Sequence, residues 1–142
     1  MKRILCVLLG LLSVGSLASP PITEQVLTRE NVRKLGFSVT VEVSPEATSV
    51  KIVGPKSING NCYPGRSGNA LMDKAGNELT TYVTQLTSSQ VAPVAFGYYT
   101  SNETNMSVWL DYFCPPDQAK NSRRFVVPSV AEYLITSLGS GQ

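Results

Sequence analysis

The chain has 142 residues, with 12 lysines and arginines, 10 aspartates and glutamates, and no histidine. This length is that of one domain. The lack of histidine excludes Ser-His-Asp and Cys-His catalytic arrangements and removes the commonest zinc ligand. The sequence also lacks the glycine motifs that cradle phosphates or dinucleotides. We therefore predict no enzymatic activity, no cofactor and no metal.

Residues 1–18 are typical of a secretory signal peptide that is cleaved. A positive start at Lys2 and Arg3 precedes an apolar stretch from Ile4 to Leu12. Residues 16–18 then match a small-residue cleavage site. The apolar stretch is too short to cross about 30 Å of hydrocarbon as a helix. An uncleaved helix is the alternative, but the pattern favours an exported protein, periplasmic or secreted, whose mature chain has no membrane anchor.

Cleavage changes both the charge and the cysteine count. Loss of Lys2 and Arg3 leaves ten cations and ten anions, so the mature chain has no net charge. Nucleic-acid binding is therefore not expected, because it needs a clustered positive surface. Cys6 leaves as well, and the remaining Cys62 and Cys114 are predicted to pair in an oxidising compartment. Two buried free thiols are the alternative.

The first part of the mature chain combines an N-terminal segment, residues 19–36, with the start of a domain placed at 37–138. Within that segment, residues 28–35 are short and weakly amphipathic, so a helix and an irregular segment stay equally open. Residues 37–43 alternate between apolar and polar types, which predicts a half-buried strand. Residues 50–53 predict a second short strand.

The middle of the chain is predicted to hold a long loop and a hairpin. Residues 55–69 are rich in Gly, Asn, Ser and Pro, which is typical of an irregular loop. Residues 70–72 and 79–86 flank a turn-rich hexapeptide at 73–78, which indicates a β-hairpin. Residues 94–100 predict another strand.

The strongest strand pattern runs from Met106 to Cys114. One alternating set is apolar throughout and is predicted to face the core: Met106, Val108, Leu110, Tyr112 and Cys114. The other set points away from it: Ser107, Trp109, Asp111 and Phe113. Cys114, at the end of this strand, is expected to reach the other layer and tie the long loop to it through Cys62.

The C-terminal part predicts a strand at 123–127 and a helix at 129–138. Ser129 and Glu132 fit the capping box that begins a helix. A strand is the alternative for 129–138, and residues 139–142 are expected to fray. Several short strands with turns between them predict a mainly β protein, an antiparallel β-sandwich of immunoglobulin-like type with a short C-terminal helix.

A candidate binding surface is the outward face of the Met106–Cys114 strand. Large apolar side chains on that face are favoured anchors for a partner. The residues that would build this aromatic surface are Trp109, Phe113, Tyr82, and Tyr98 or Tyr99. The alternative is that the terminal helix or the 55–69 loop covers the face and makes it a second core.

Two further hypotheses rest on single residue types. Arg66 is a lone charge on the loop that Cys62 tethers, as in an inhibitor that fills the pocket of a trypsin-like protease. A hydrolase acting on cell-wall carbohydrate would instead need two carboxylates across a cleft. The sequence fixes no such pair among its candidate acids, which are Glu42, Glu46, Asp111 and Asp117.

The function that these observations favour is that of an exported, non-enzymatic β-sandwich module. It would bind a protein partner in the cell envelope or outside the cell, within an envelope assembly in one version of the hypothesis. Carbohydrate is the alternative ligand of the aromatic surface. The protease inhibitor and the carboxylate-dependent hydrolase are the alternative functions.

Overall fold

The computed structural model describes residues 22–87, 91–100, 104–117 and 121–138. The predicted signal peptide at 1–18 and the predicted fraying end at 139–142 lie outside these ranges. The strands are Thr23–Val26 (β1), Ser38–Val43 (β2), Thr48–Val53 (β3), Tyr63–Asp73 (β4), Glu78–Gln85 (β5), Val94–Tyr99 (β6), Thr104–Phe113 (β7) and Arg123–Val127 (β8). The helix Val130–Leu138 (α1) follows. No helix in the described ranges is long and apolar enough to cross a membrane.

The strands form a five-stranded sheet, in the order β1-β8-β7-β4-β5, and a three-stranded sheet, in the order β2-β3-β6. The β1–β8 pair is parallel, and the other paired strands are antiparallel. The predicted β-sandwich with a short C-terminal helix is confirmed. The immunoglobulin-like type stays a prediction.

Strand β7 forms the centre of the core, as its alternating pattern predicts. Val108, Leu110 and Tyr112 are fully buried. Tyr112 packs edge-on against Phe37 and Phe125, with ring centroids 6.0 and 5.5 Å away. Its hydroxyl donates a hydrogen bond to the carbonyl of Pro55 at 2.7 Å, which ties β7 to the segment after β3.

The prediction of a loop over residues 55–69 holds for residues 55–62 and is wrong for residues 63–69, because β4 begins at Tyr63 and runs to Asp73. This strand lies between β7 and β5, inside the five-stranded sheet. The glycines of β4 do not form turns. They leave room for aromatic rings of β7. A Cβ on Gly65 would collide with the Phe113 ring, and a Cβ on Gly68 would collide with the Trp109 indole. The composition that resembles a loop therefore reflects close packing across the sheet.

The N-terminal segment contains a strand that the sequence did not predict. All four residues of β1 are exposed, so no apolar face marks it. Residues 28–36 then form hydrogen-bonded turns, with the amide of Val32 bonded to the Thr28 carbonyl at 2.9 Å. Gly36 ends them with a φ of 81°, which glycine adopts without a steric cost.

The predicted disulfide between Cys62 and Cys114 is confirmed. Its location differs from the predicted link to the other layer, because Cys62 directly precedes β4 and Cys114 directly follows β7, two strands of the five-stranded sheet. Tyr63 pairs with Phe113, so the two cysteines stand opposite each other where β4 begins and β7 ends. The bridge therefore joins neighbouring strands of one sheet and does not connect the two layers.

The helix α1 begins where the capping box places it. The backbone amide of Glu132 donates to the Ser129 hydroxyl at 3.2 Å, as in an N-cap. Asn105 adds a second anchor, because its carboxamide oxygen accepts from the Ala131 amide at 3.2 Å. Val130 is fully buried against the core. The helix is thus held to the end of the sandwich by its first turn.

Candidate functional site

The outward face of β7 is covered, so the expectation of an exposed Trp109 is wrong. Trp109 is 5% exposed and forms a small cluster with Ala70 of β4 and Val126 of β8. The Arg124 guanidinium lies over its ring, 4.6 Å from the centroid. The face is a second core, as the alternative proposed, but side chains of the neighbouring strands cover it.

Three charged side chains form a row across this same face, and Arg66 is one of them. In register across the strands, Asp111 of β7 lies between Arg66 of β4 and Arg124 of β8. Arg66 Nη2 is 3.2 Å from Asp111 Oδ2, and Arg124 Nε is 2.8 Å from Asp111 Oδ1. The Asp111 side chain is 1% exposed, so both ion pairs centre on a buried carboxylate.

Arg66 is therefore not presented on a loop. Its side chain is 31% exposed and its guanidinium lies over the half-buried Phe113 ring, 5.2 Å from the centroid. The protease-inhibitor hypothesis loses the feature that suggested it.

The hydrolase hypothesis gains no acid pair either, since Asp111 is bound by two arginines and Glu42 and Glu46 lie exposed on β2 and the turn after it. Within the described ranges, no group of acidic, cysteine or histidine residues is placed to hold a metal ion.

An exposed aromatic surface exists elsewhere, where β5 and β6 form the edges of the two sheets. Tyr82 is 64% exposed, Phe96 is 56% exposed and Tyr98 is 62% exposed. These rings border a cavity of about 290 Å³, here called the aromatic groove. It is lined by Asn69, Leu71, Thr80, Tyr82, Phe96, Gly97, Tyr98 and Met106, none of which is charged.

The groove exists because the two sheets differ in width. Tyr82 and Thr80 pair with Asn69 and Leu71, so they share the face of the five-stranded sheet that is turned toward the three-stranded sheet. The three-stranded sheet ends at β6, which packs on β7 and β4. Among the described residues, no strand therefore covers the inner face of β5, and Tyr82 is left exposed.

Of the residues predicted for this surface, Tyr82 and Tyr98 meet at the groove and Tyr99 does not. Tyr99 is 6% exposed, and burial raises the pKa of its hydroxyl, partly offset by a hydrogen bond with Thr48. Phe96 was missed. The signal for it was alternation in β6, because the small residues Ala95 and Gly97 mark the packed face and leave Phe96 with Tyr98 on the other.

The outer edge of β6 carries main-chain groups that its neighbour β3 does not use. The Gly54 amide donates to the Pro93 carbonyl at 3.0 Å, which fixes the hydrogen-bonded pairs of the β3–β6 ladder. By alternation, the amides and carbonyls of Val94, Phe96 and Tyr98 point away from β3. One of these groups has a partner, since the Asn69 carboxamide donates to the Phe96 carbonyl at 3.0 Å.

Comparison with known proteins adds little to this geometry. No protein-family model matches the chain, and no curated protein matches its sequence. Among solved structures, the hypothetical protein PH1083 from Pyrococcus horikoshii OT3 is similar with a TM-score of 0.38 and 9% identity, over 65% of this chain and 84% of that chain. A similarity this low indicates neither the family nor the function of the chain, so the groove itself is the basis for a functional proposal.

Proposed function

We propose that this chain is an exported, non-enzymatic β-sandwich module that binds a protein partner in the cell envelope or outside the cell. The partner would lay an extended segment along β6, in the aromatic groove. The observation that carries this proposal is an edge strand with three exposed side chains, Val94, Phe96 and Tyr98, whose main-chain amides and carbonyls point away from β3. Strand addition of this kind uses main-chain hydrogen bonds for affinity and side-chain pockets for specificity.

The composition of β6 supports an edge that accepts a strand. Natural proteins usually protect such edges with charged residues, bulges or a covering segment. The sequence of β6, VAFGYY, contains no charge. An added strand would also cover Tyr82 on β5, so it would bury apolar surface as well as pair the edge. Tyrosine and other aromatic residues are favoured anchors at protein interfaces.

In the absence of a partner, Asn69 forms a hydrogen bond with one main-chain group of the β6 edge. Its carboxamide satisfies the Phe96 carbonyl, which an arriving strand would otherwise find free. The partner's amide would replace that side-chain donor, and the net exchange conserves one hydrogen bond. Because net hydrogen bonds in proteins contribute only about 1 kcal/mol, the exchange does not block binding.

Export is supported by two independent observations. The first 18 residues have the pattern of a signal peptide. The disulfide between Cys62 and Cys114 is of the kind that persists in oxidising compartments. A periplasmic or secreted protein of this size that binds a partner by its sheet edge is consistent with both.

The test is photo-crosslinking from single positions in cells that export the protein. A crosslinking residue at Tyr98 should trap a defined partner, whereas one at Val83 should not. Val83 is a matched control because it is 52% exposed on β5 but shares the opposite face of the sheet with Gly68. Equal crosslinking from the two positions would argue that the groove is not the binding site.

Strand addition has its own readout in amide hydrogen exchange. In the free protein, the amides of Phe96 and Tyr98 should exchange fast and those of Ala95 and Gly97 slowly, because only the latter two face β3. In the isolated complex, the first two should become protected. Unchanged exchange at Phe96 and Tyr98 in a complex that crosslinks through Tyr98 would mean side-chain docking without an added strand.

A further inference from the structure

A second cavity lies at another place on the sandwich, among β1, the turns at 28–36, the segment after β3, and β8. Its volume is about 440 Å³. Lys34 and Arg123 line it, and we call it the basic cleft. Thr23, Asn59, Ile58 and Phe125 also line it, so the lining around the two cations includes both polar and apolar groups.

The charge of the basic cleft is not balanced. Arg123 and Phe125 alternate with Arg124 on β8, and Thr23 pairs with Arg123, so these cleft residues share one face of the sheet. Glu24 lies between Thr23 and Gln25 and pairs with Arg124, which places it on the opposite face. Of the described residues that line the cleft, none is acidic, and no described residue forms an ion pair with Lys34 or Arg123.

The wall of the cleft that Ile58 and Asn59 form is held in place by several constraints. Asn59 and Gly60 form a tight turn, with φ values of 52° and 74°. The Ile58 amide donates to the Cys62 carbonyl at 2.9 Å, and the disulfide attaches Cys62 to β7. A wall fixed before binding lowers the conformational cost of holding a ligand.

We infer that the basic cleft binds a small molecule through an oxyanion, a carboxylate or a phosphate, held between Lys34 and Arg123. Apolar walls such as Ile58 and Phe125 strengthen the field of the two cations, because they exclude water from part of the cleft. The hydroxyl and carboxamide groups of Thr23 and Asn59 add neutral hydrogen-bonding groups. The volume is within the range of small-ligand sites and fits a ligand the size of a monosaccharide.

The experiment titrates four probes into the folded protein and follows backbone amide chemical shifts. The probes are inorganic phosphate, glucose 6-phosphate, glucuronate and, as a neutral control, glucose. We expect saturable shifts at Thr23, Lys34 and Asn59 with an anionic probe and none with glucose. Binding should weaken as salt is added, because the two cations are exposed. Preference for glucose 6-phosphate or for glucuronate distinguishes a phosphorylated from a carboxylated ligand.

Four variants test whether the effect belongs to the cleft. Lys34→Gln and Arg123→Gln should each weaken binding by about five-fold or more, since one of two charge contacts is lost. Lys51→Gln is the matched control, because Lys51 is an exposed lysine on β3 of the other sheet. Arg123→Lys, which keeps the charge, should retain part of the affinity and guards against a merely structural loss.

Several results would overturn this inference. They are the absence of saturable shifts with every anionic probe at tens of millimolar, shifts scattered over the surface, or a Lys51→Gln variant that loses as much affinity as Lys34→Gln. The measurement does not involve the aromatic groove, so it succeeds or fails independently of the partner-binding proposal.

Discussion

At the scale of single residues, the packing around Trp109 explains why the outward face of β7 is not the exposed aromatic surface that was predicted. An indole that points outward from a central strand normally stands up from the sheet, because the outward side chains of both neighbouring strands prevent it from lying flat. It is then exposed. Here the neighbour on β4 is Gly68, and the indole lies across it. Arg124 then covers the other side of the ring. A residue without a side chain thus converts a candidate anchor into buried structure.

Gly68→Ala tests this arrangement. The new Cβ would occupy the position of the Trp109 indole, so the ring must move outward. We expect a loss of about 1–3 kcal/mol in the free energy of unfolding, as for other overpacked sites. Trp109 is the single tryptophan of the chain, so its fluorescence reports directly on its exposure. Its emission should shift to longer wavelength and become easier to quench with acrylamide.

Ser67→Ala serves as the control for that experiment. Ser67 is the buried neighbour on the same strand, but its side chain lies on the other face of the sheet. The control should leave the fluorescence unchanged. If Gly68→Ala keeps both the emission and the stability of the wild type, the indole does not depend on the space that glycine leaves.

At the scale of elements, β4 and β7 show how differently two adjacent strands reveal themselves in sequence. Strand β7 has one apolar face against the core, and its alternation predicts the strand directly. Strand β4 is buried on both faces yet contains Gly65, Gly68 and Pro64, which are typical of turns. Its partners on β7 supply the bulk that β4 lacks. The strand is specified by the pair and not by its own residues.

The disulfide that joins these two strands is expected to contribute strongly to stability. The bridge links cysteines 52 positions apart, and the chain-entropy model gives about 4 kcal/mol for a loop of that size. Replacing Cys62 and Cys114 with serine should therefore lower the urea midpoint of unfolding markedly. Wild-type protein under reducing conditions should shift toward the same midpoint.

Intact mass provides the check on that interpretation. The exported protein should gain the mass of a pair of hydrogen atoms on reduction and should begin at Ser19 if the signal peptide is removed. Equal masses before and after reduction, or a reduced protein that unfolds at the oxidised midpoint, would contradict a stabilising bridge.

At the scale of the whole molecule, the pH dependence of stability follows from the lack of histidine and from buried tyrosines. No histidine is present to titrate near neutral pH. Burial raises the pKa of Tyr112, and it also raises the pKa of Tyr99 and Tyr133. Above a pH of about 10, tyrosines ionise in the unfolded chain while Tyr112 stays protonated in the folded protein. The unfolded state then binds fewer protons, so stability falls as pH rises.

We therefore expect the free energy of unfolding to decline between about pH 10 and pH 11, at up to about 1.4 kcal/mol per pH unit for each such tyrosine. Tyr112→Phe should be less stable at neutral pH, because the hydrogen bond to Pro55 is lost, but should decline less steeply. A Tyr112→Phe variant with the wild-type alkaline slope would exclude Tyr112 as the cause.

The sequence alone determined the elements whose signals are local. The alternation of residues 106–114 predicted β7 and its buried face, the turn residues at 73–78 predicted the hairpin of β4 and β5, and the capping box predicted α1. It also determined the disulfide, because one cysteine lies within the signal-like segment and leaves a pair. Each of these follows from periodicity, turn chemistry or counting, which need no knowledge of neighbours in space.

The tertiary structure alone decided which aromatic residues are available. Trp109 is covered because glycine stands beside it on another strand, and Tyr82 is exposed because the three-stranded sheet ends at β6. Arg66 became half of an ion pair for the same reason, since β4 pairs with β7 at Asp111. The exposure of a side chain depends on which residues lie beside it on neighbouring strands or opposite it on the facing sheet. A single sequence does not show which residues these are.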